Sequence, residues 1–141
     1  MAAGGSARTE RNRSFDPPEA AAGRGRKVLV CGGRKYRDQE HVFMVLAWVH
    51  ATFGINFLVE GAAWGADELA YKWRRSRGVP GRRVPVTKQE WDTLGKKAGN
   101  LRNQKMLDEE KPDLVIAFPG GTETADMARR ADKAEVEVFY A

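Results

Sequence analysis

The sequence contains little cysteine, little histidine and no long hydrophobic segment. Cys31 is the single cysteine among 141 residues, so an intrachain disulfide is impossible and a reducing compartment is expected. With two histidines, the chain has too few ligands for an ordinary structural zinc site. The longest apolar run, 42–49, covers eight residues, whereas a membrane-spanning helix needs about 20. The first residues also lack the apolar segment of a secretory signal peptide. We therefore expect a cytoplasmic protein without a metal site and without membrane association.

The sequence also has only a modest excess of positive charge. Its 24 Lys and Arg residues against 19 Asp and Glu give a net charge of +5. Residues 1–26 contain five arginines and three acids, so 27–141 keep a net charge of only +3. A nucleic-acid-binding domain usually shows a stronger basic patch. The charge favours a small anionic ligand, although the Arg-rich N-terminus and the basic stretch 72–83 keep DNA binding as an alternative.

Residues 1–26 differ in composition from the rest of the chain. They are rich in Ala, Gly, Arg and Pro, with Phe15 as their only aromatic side chain. Such a segment buries too little apolar surface to offset the entropy lost on ordering. We expect a disordered tail over 1–26 and a single domain over 27–141.

From Lys27 onward, short apolar runs alternate with segments of helical periodicity. This alternation predicts an α/β fold, a three-layer sandwich around a five-stranded parallel sheet. Pro85 cannot donate to a ladder and 136–140 shows edge-like alternation, so the third and fifth strands should be edges in the order 3-2-1-4-5. The predicted strands are KVLVC (27–31), NFLVE (56–60), RRVPV (82–86), DLVIAF (113–118) and VEVFY (136–140).

The intervening segments predict four helices, with a loop around Trp91. Asp38 is the expected N-cap of the first helix. Phe43, Met44 and Trp48 widen its apolar face beyond one stripe, which indicates a second packing partner and, with it, a homodimer. The predicted helices cover 38–53, 66–77, 98–110 and 122–134.

Three glycine-rich loops follow strands that are neighbours in the predicted order. Because ligands of such sheets bind at the carboxyl ends of the strands, the loops should meet in one crevice. Each loop precedes a helix N-terminus, which can bind phosphate, although a tight turn would need glycine as well. We predict that the ligand is bound by Gly32, Gly33, Arg34 and Tyr36, by Gly61, Ala62, Gly65 and Asp67, and by Gly120, Gly121, Thr122 and Thr124.

The basic patch 95–103 opens the helix before the fourth strand, and we expect Arg102 and Asn103 to face the same crevice. Asp67 suits either a ribose hydroxyl or the dipole of its helix. Tyr36 and Trp64 suit either stacking on a base or packing as a lid. The dinucleotide and NTPase fingerprints G-x-G-x-x-G and G-x-x-x-x-G-K-[ST] are absent. This disfavours a conventional dehydrogenase or ATPase, and no cofactor is expected.

Four ordered blocks carry a family resemblance over essentially all of 27–141. They are VLVCGGRKY (28–36), EGAAWGADELA (60–70), WDTLGKKAGNLRNQKML (91–107) and PDLVIAFPGGTETADM (112–127). Together they resemble the SLOG superfamily of Rossmann-like nucleotide-ligand domains, in its YspA-type branch, the YpsA-related SLOG family of bacteria and phages. The resemblance implies a Rossmann-like fold and a ligand such as a nucleoside monophosphate or an ADP-ribose-like molecule.

The related LOG-type enzymes bind a nucleoside monophosphate with an arginine and a P-G-G-x-G-T-x-x-E motif, and they cleave its N-glycosidic bond. Two positions depart from that pattern. Glu123 replaces the third glycine and adds a carboxylate beside the expected phosphate. The catalytic glutamate is assigned to Asp126, which is one methylene shorter and lies one residue before the position that the motif spacing gives. The resemblance implies that Arg102 is the family arginine and that Gly120, Gly121 and Thr124 form the phosphate loop.

The sequence therefore supports three functions. The first is a sensor or processing domain that binds a nucleotide or nucleotide-derived ligand. The second is a phosphoribohydrolase, in which Arg102 holds the phosphate and Asp126 or Glu123 serves as the catalytic carboxylate. The third is an accessory protein that binds or processes DNA.

Overall fold

A computed structural model of the protein describes residues 25–141; the tail expected over 1–26 lies almost wholly outside this range. Strands and helices alternate along the described chain. The elements are β1 (Arg26–Cys31), α1 (Gln39–Phe53), β2 (Ile55–Glu60), α2 (Ala66–Arg77), β3 (Gly81–Arg83), α3 (Lys88–Leu94), α4 (Lys97–Glu110), β4 (Leu114–Ala117), α5 (Thr122–Lys133) and β5 (Glu137–Tyr140).

The five strands form one parallel sheet in the order β3-β2-β1-β4-β5. This confirms the predicted order and the Rossmann-like α/β class. β1 is central, and its Leu29 pairs with Val59 of β2 on one side and with Val115 of β4 on the other. The switch between β1 and β4 therefore lies in the middle of the sheet, where a ligand crevice is expected.

The sheet is covered on both faces, which explains the continuous apolar runs of its central strands. Val28 and Val30 of β1 pack into the core beneath α1 and α2. Leu29 and Cys31 of the same strand pack into the core beneath α4 and α5. Because successive side chains of a strand point to opposite faces, a central strand of this sheet needs an apolar residue at every position.

The first helix begins as predicted, with the side chain of Asp38 accepting a hydrogen bond from the N–H of His41 at 3.1 Å. Its buried positions Val42 and Val49 face the sheet. Met44 and Trp48 are 60% and 44% exposed. The homodimer that this broad apolar face suggested stays a prediction.

Two elements differ from the sequence prediction by more than the one-residue shifts seen at the ends of other elements, such as β1, which starts at Arg26. The third strand ends at Arg83 instead of Val86. Val84 still donates to the carbonyl of Glu60 at 2.8 Å, but Pro85 has no N–H with which to continue the ladder.

The second difference is α3, which occupies the segment around Trp91 that was predicted as a loop. Thr87 accepts a hydrogen bond from the N–H of Glu90 at 3.0 Å, and the carboxylate of Glu90 accepts one from the N–H of Thr87 at 2.8 Å. This reciprocal capping box is visible in the sequence as Thr-x-x-Glu, and it is the signal that would have found the helix. Among the helices described here, none combines the length and hydrophobicity that crossing a membrane requires.

Candidate functional site

A cavity of about 600 Å³ lies at the carboxyl ends of β1, β2 and β4. Its volume is in the range of small-molecule sites. The loops after these strands and the first half of α4 enclose it. Its lining consists of Val30, Cys31, Gly32, Gly33, Arg34, Lys35, Tyr36, Gly61, Ala63, Asp67, Arg102, Asn103, Met106, Pro119, Gly120, Gly121, Thr122, Glu123 and Thr124.

The three glycine-rich loops are joined to one another by backbone hydrogen bonds. Gly33 donates to the carbonyl of Pro119 at 2.9 Å and accepts from the N–H of Ala66 at 3.1 Å. Gly65 has a φ of +79°, and a Cβ there would overlap the carbonyl of Gly33. The first loop is therefore held between the other two, and close backbone approach requires glycine at these contacts.

Arg102 is the main cation of the cavity wall, and only 7% of the residue is exposed. Its Nη1 donates to the carbonyl of Gly61 at 2.7 Å and to that of Val84 at 3.3 Å. Its buried Nε has no hydrogen-bond partner within the described chain. A buried N–H without an acceptor costs free energy. The guanidinium is thus held in place on one side and retains donor capacity.

The carboxylate of Glu123 lies between two guanidinium groups. Its Oε2 is 3.4 Å from Nη2 of Arg34, and its Oε1 is 3.6 Å from Nη2 of Arg102. A Cβ at Gly99 would stand 2.7–2.8 Å from this carboxyl group. Glu123 therefore rests against the first turn of α4, at a place that only a glycine leaves open.

The cavity is also bordered by a buried carboxyl group, that of Asp67 in the first turn of α2. Its Oδ2 accepts hydrogen bonds from the N–H groups of Gly61 and Ala63, both at 3.2 Å. Burial, together with the nearby charge of Glu60, raises the pKa of Asp67 to about 7, against the lowering influence of these hydrogen bonds and of Arg102. Asp67 thus holds the second loop in shape and titrates near neutral pH. Its predicted contact with a ribose hydroxyl stays a prediction.

Behind the second loop lies Glu60, which is fully buried. Its carboxylate accepts from Nε of Arg83 at 2.6 Å and from the N–H of Ala62 at 2.6 Å. Burial raises the pKa of Glu60, and the hydrogen bonds from Arg83 and Ala62 oppose that rise. Ala62 itself has a φ of +59°. The loop backbone is therefore fixed by carboxylates from both sides, Glu60 and Asp67.

The single thiol belongs to the cavity floor. Cys31 ends β1 and is 8% exposed. Burial, with a smaller contribution from Asp67, raises the pKa of Cys31 to about 12. Because the thiolate is the reactive form of cysteine, this residue acts as a small apolar side chain at neutral pH.

Asp126 lies outside the cavity lining. It is 3% exposed, and its carboxylate accepts from Arg129 at 2.9 Å, from Arg130 at 2.7 Å and from Nδ2 of Asn103 at 3.1 Å. Its partners at i+3 and i+4 are visible in the sequence as the spacing Asp-x-x-Arg-Arg. The described contacts of Asp126 join α5 to α4. The catalytic role expected at this position stays a prediction.

Three aromatic residues stand around the cavity. Tyr36 lines it and packs its ring 5.9 Å from that of Phe118. Trp91 lies under the guanidinium of Arg34, with 5.8 Å between the guanidinium carbon and the ring centroid. Trp64 is 75% exposed on the second loop. Both alternatives from the sequence, stacking on a base or packing as a lid, remain open for Tyr36 and Trp64.

Most of the predicted ligand-binding residues meet in the cavity wall, together with Glu123; Ala62, Gly65 and Asp126 do not line it. Sequence reasoning missed some lining residues at the end of β1, in the loops themselves and on the inner face of α4. The alternation of side chains along β1 could have indicated the first group, and the helical spacing from Arg102 could have indicated Met106. The missed residues are Val30, Cys31, Lys35, Ala63, Met106 and Pro119.

The basic stretch 72–83 makes mainly internal contacts. Arg83 pairs with Glu60 and Glu68, at 2.6 and 2.9 Å, and Arg82 pairs with Glu110 at 2.9 Å. Arg74 donates to the carbonyl of Val79 at 3.2 Å. The guanidinium groups of these three arginines are therefore engaged in contacts within the domain.

Comparison with known proteins identifies the family. The model of the YspA, cpYpsA-related SLOG family matches residues 26–90. The Gene 61 protein of Mycobacterium phage D29 is 35% identical over 120 residues, covering 81% of this chain and 94% of that protein. The chain belongs to the YspA, cpYpsA-related SLOG family. The matched segment contains β1 to β3 and two of the three loops of the cavity, and the similarity to the phage protein extends the relationship over most of the chain. Membership of the SLOG family is consistent with a role that involves nucleotides.

Proposed function

We propose that the cavity binds a nucleotide or a nucleotide-derived ligand through its phosphate, and that this domain acts as a sensor or processing domain for that ligand. The observation that carries the proposal is the guanidinium of Arg102. It is buried in the cavity wall and held by the carbonyls of Gly61 and Val84, and its Nε has no hydrogen-bond partner among residues 25–141. A fixed guanidinium with free donor capacity suits a phosphate group.

The neighbouring backbone supports a phosphate at the same wall. Gly121 is the N-cap of α5 and provides no side-chain hydrogen bond to the first turn. The first N–H groups of a helix are donors without partners inside the helix, and the helix dipole favours an anion beside them. Gly120, Gly121 and Thr122 line the cavity at this end of α5.

The remaining wall suits the nucleoside part of such a ligand. A volume of about 600 Å³ is adequate for a nucleotide. Tyr36 offers an aromatic ring and Met106 an apolar surface in the same lining. Base-to-aromatic stacking contributes about 1–3 kcal/mol in nucleic-acid complexes. The cavity thus combines an anion-binding end with an apolar wall, as a nucleotide requires.

The test compares ligand-induced stabilisation in Arg102→Lys with that in the unaltered chain. Thermal unfolding is followed with AMP, NAD, ADP-ribose and cytokinin-type ribotides. A bound ligand stabilises by RT ln(1 + [L]/Kd), so the shift itself reports affinity. Lysine keeps the charge but loses the guanidinium fork, and we expect at least about a tenfold weaker affinity.

Arg75→Lys is the matched control, because Arg75 is an exposed cation of α2 whose Nη1 donates to the hydroxyl of Tyr71 at 3.1 Å. It should bind as the unaltered chain does. Chromatography of the same mixtures detects released base, which would show hydrolysis. The proposal is wrong if no nucleotide of the panel stabilises the unaltered protein at saturating concentration.

A further inference from the structure

The position of Glu123 determines the charge that the anion-binding end of the cavity presents. Its carboxylate is within 3.4 Å of Arg34 and 3.6 Å of Arg102, the two guanidinium groups that line this end. Two positive charges and one negative charge leave a local excess of one positive charge. Asp67 and Lys35 line the same cavity and add one carboxyl group and one cation, so they leave that balance nearly unchanged.

The fold fixes this carboxylate in place. Glu123 lies in the first turn of α5, where the helix dipole favours a negative charge. Its carboxyl group also rests on Gly99 in the first turn of α4, where an added Cβ would be 2.7 Å from it. Asn103 of α4 donates to the backbone carbonyl of Glu123 at 3.1 Å. Two helix N-termini and two guanidinium groups hold the side chain, which is 36% exposed.

We propose that Glu123 is a specificity-determining residue that selects ligands whose phosphate carries a single negative charge, namely phosphodiester-linked nucleotides, over ligands with a terminal phosphate monoester. This inference rests on the proposed function, since it concerns the ligand of the same cavity. A terminal phosphate monoester carries about −1.5 to −2 at pH 7. A diester carries one charge, which the local excess of one positive charge balances.

The second charge of a monoester has no counterpart at this end of the cavity. It would lie close to the carboxylate of Glu123, and two like charges about 5 Å apart repel strongly at the edge of a protein. Glutamine at this position keeps the size of the side chain and one acceptor oxygen, and it removes the negative charge that causes the repulsion. Glu123 thus disfavours the doubly charged monoester more strongly than the singly charged diester.

The experiment uses two probes that differ by one methyl group, AMP and the methyl ester of AMP. Their affinities are measured by calorimetry with the full chain, with Glu123→Gln and with the control Glu109→Gln. Glu109 is exposed near the end of α4 and does not line the cavity, so its variant makes the same change in net charge elsewhere. We expect the unaltered chain to prefer the methyl ester. E123Q should shift the ratio of the two affinities toward AMP by about tenfold or more, and E109Q should leave the ratio unchanged.

A pH series gives an independent readout on the unaltered chain. The second ionisation of a phosphate monoester has a pKa near 6, so affinity for AMP should fall as pH rises through about 6, relative to affinity for the methyl ester. The inference is overturned if both probes bind and E123Q changes both affinities equally, or if the ratio does not depend on pH; the proposed function then stands. Absence of binding of both probes to all three proteins overturns the proposed function itself.

Discussion

The two ends of the sheet use the same residue type, glycine, for different physical reasons. At the amino end, Gly78 terminates α2 with a φ of +69°, and a Cβ added there would meet nothing within 4 Å. At the carboxyl end, a Cβ at Gly61 would stand 2.6 Å from the guanidinium of Arg102. Gly65 combines both conditions, with a φ of +79° and the carbonyl of Gly33 against it. Conformation requires glycine at position 78, whereas space requires it at position 61.

The ion pairs of the buried glutamates also differ between the two ends. Glu110, near the amino end, pairs with Lys27 at 3.2 Å and with Arg82 at 2.9 Å. Glu60, at the carboxyl end, has its ion pair with Arg83 alone within the described residues, at 2.6 Å. The first glutamate keeps a cation when one partner is removed, whereas the second does not. Among the described residues, Glu60 at the carboxyl end therefore depends on a single ion pair, whereas Glu110 near the amino end has two.

The largest effect should come from Gly65→Ala. The added methyl group must displace the Gly33 backbone, and the alanine backbone must adopt a positive φ. We therefore expect a loss of more than about 4 kcal/mol in the free energy of unfolding, or a displaced first loop. Gly78→Ala carries only the conformational cost of about 1 kcal/mol. Denaturant unfolding of both variants measures the difference. Equal losses would show that the two ends do not differ in this respect.

The next effect should come from Arg83→Met. It leaves the fully buried Glu60 without its ion-pair partner, and breaking a buried pair in this way costs about 3 kcal/mol or more. Arg82→Met, one residue earlier on the same strand, should cost less than about 1 kcal/mol because Lys27 still pairs with Glu110. The free energies of unfolding of the two variants at pH 7 provide the comparison. A cost for R82M as large as that for R83M would remove the distinction between the two glutamates.

A smaller effect is expected in the pH dependence of stability. The pKa of Asp67 is about 7 in the folded protein against 3.8 as its ordinary value. Between these pH values the folded state binds more protons than the unfolded state, so this group stabilises the fold at low pH and that contribution is lost as pH rises through about 7. Its upper limit is roughly 4 kcal/mol, and relaxation of the loop should reduce it to about 2.

Asp67→Asn removes that titration. Unfolding free energies of the unaltered chain and of D67N, measured from pH 4 to 8, should therefore differ in slope over this interval. Any loss of stability from replacing the carboxylate by an amide is constant with pH, so it leaves the slope untouched. Parallel curves would mean that Asp67 does not titrate there.

The sequence was sufficient to predict the strand order of the sheet because the features that determine this order are local. Pro85 and the alternating fifth strand indicate the two edges, and the glycine-rich loops follow strands that are neighbours in the sheet. The two errors also have local causes. The Thr87 and Glu90 capping box starts α3, and the missing N–H of Pro85 ends the ladder of β3 early.

The contacts of the candidate site were less predictable because they join distant parts of the chain. Arg102 is held by the carbonyls of Gly61 and Val84, and no pattern in the sequence specifies a side chain bound to a backbone group 41 residues away. Glu123 was expected to oppose a phosphate, but its pairing with both Arg34 and Arg102 depends on how two loops and two helices meet. Asp126 is different, since its arginine partners lie at helical spacing and are readable from the sequence.

The buried thiol of Cys31 gives this protein a built-in reporter of its own motion. The side chain is 8% exposed, and burial raises the pKa of Cys31 to about 12. We therefore expect a water-soluble thiol reagent to modify Cys31 only when the loops above the cavity floor move apart. If such openings are fast relative to the chemistry, the labelling rate at this single cysteine reports the fraction of time for which the crevice is open, without any added probe.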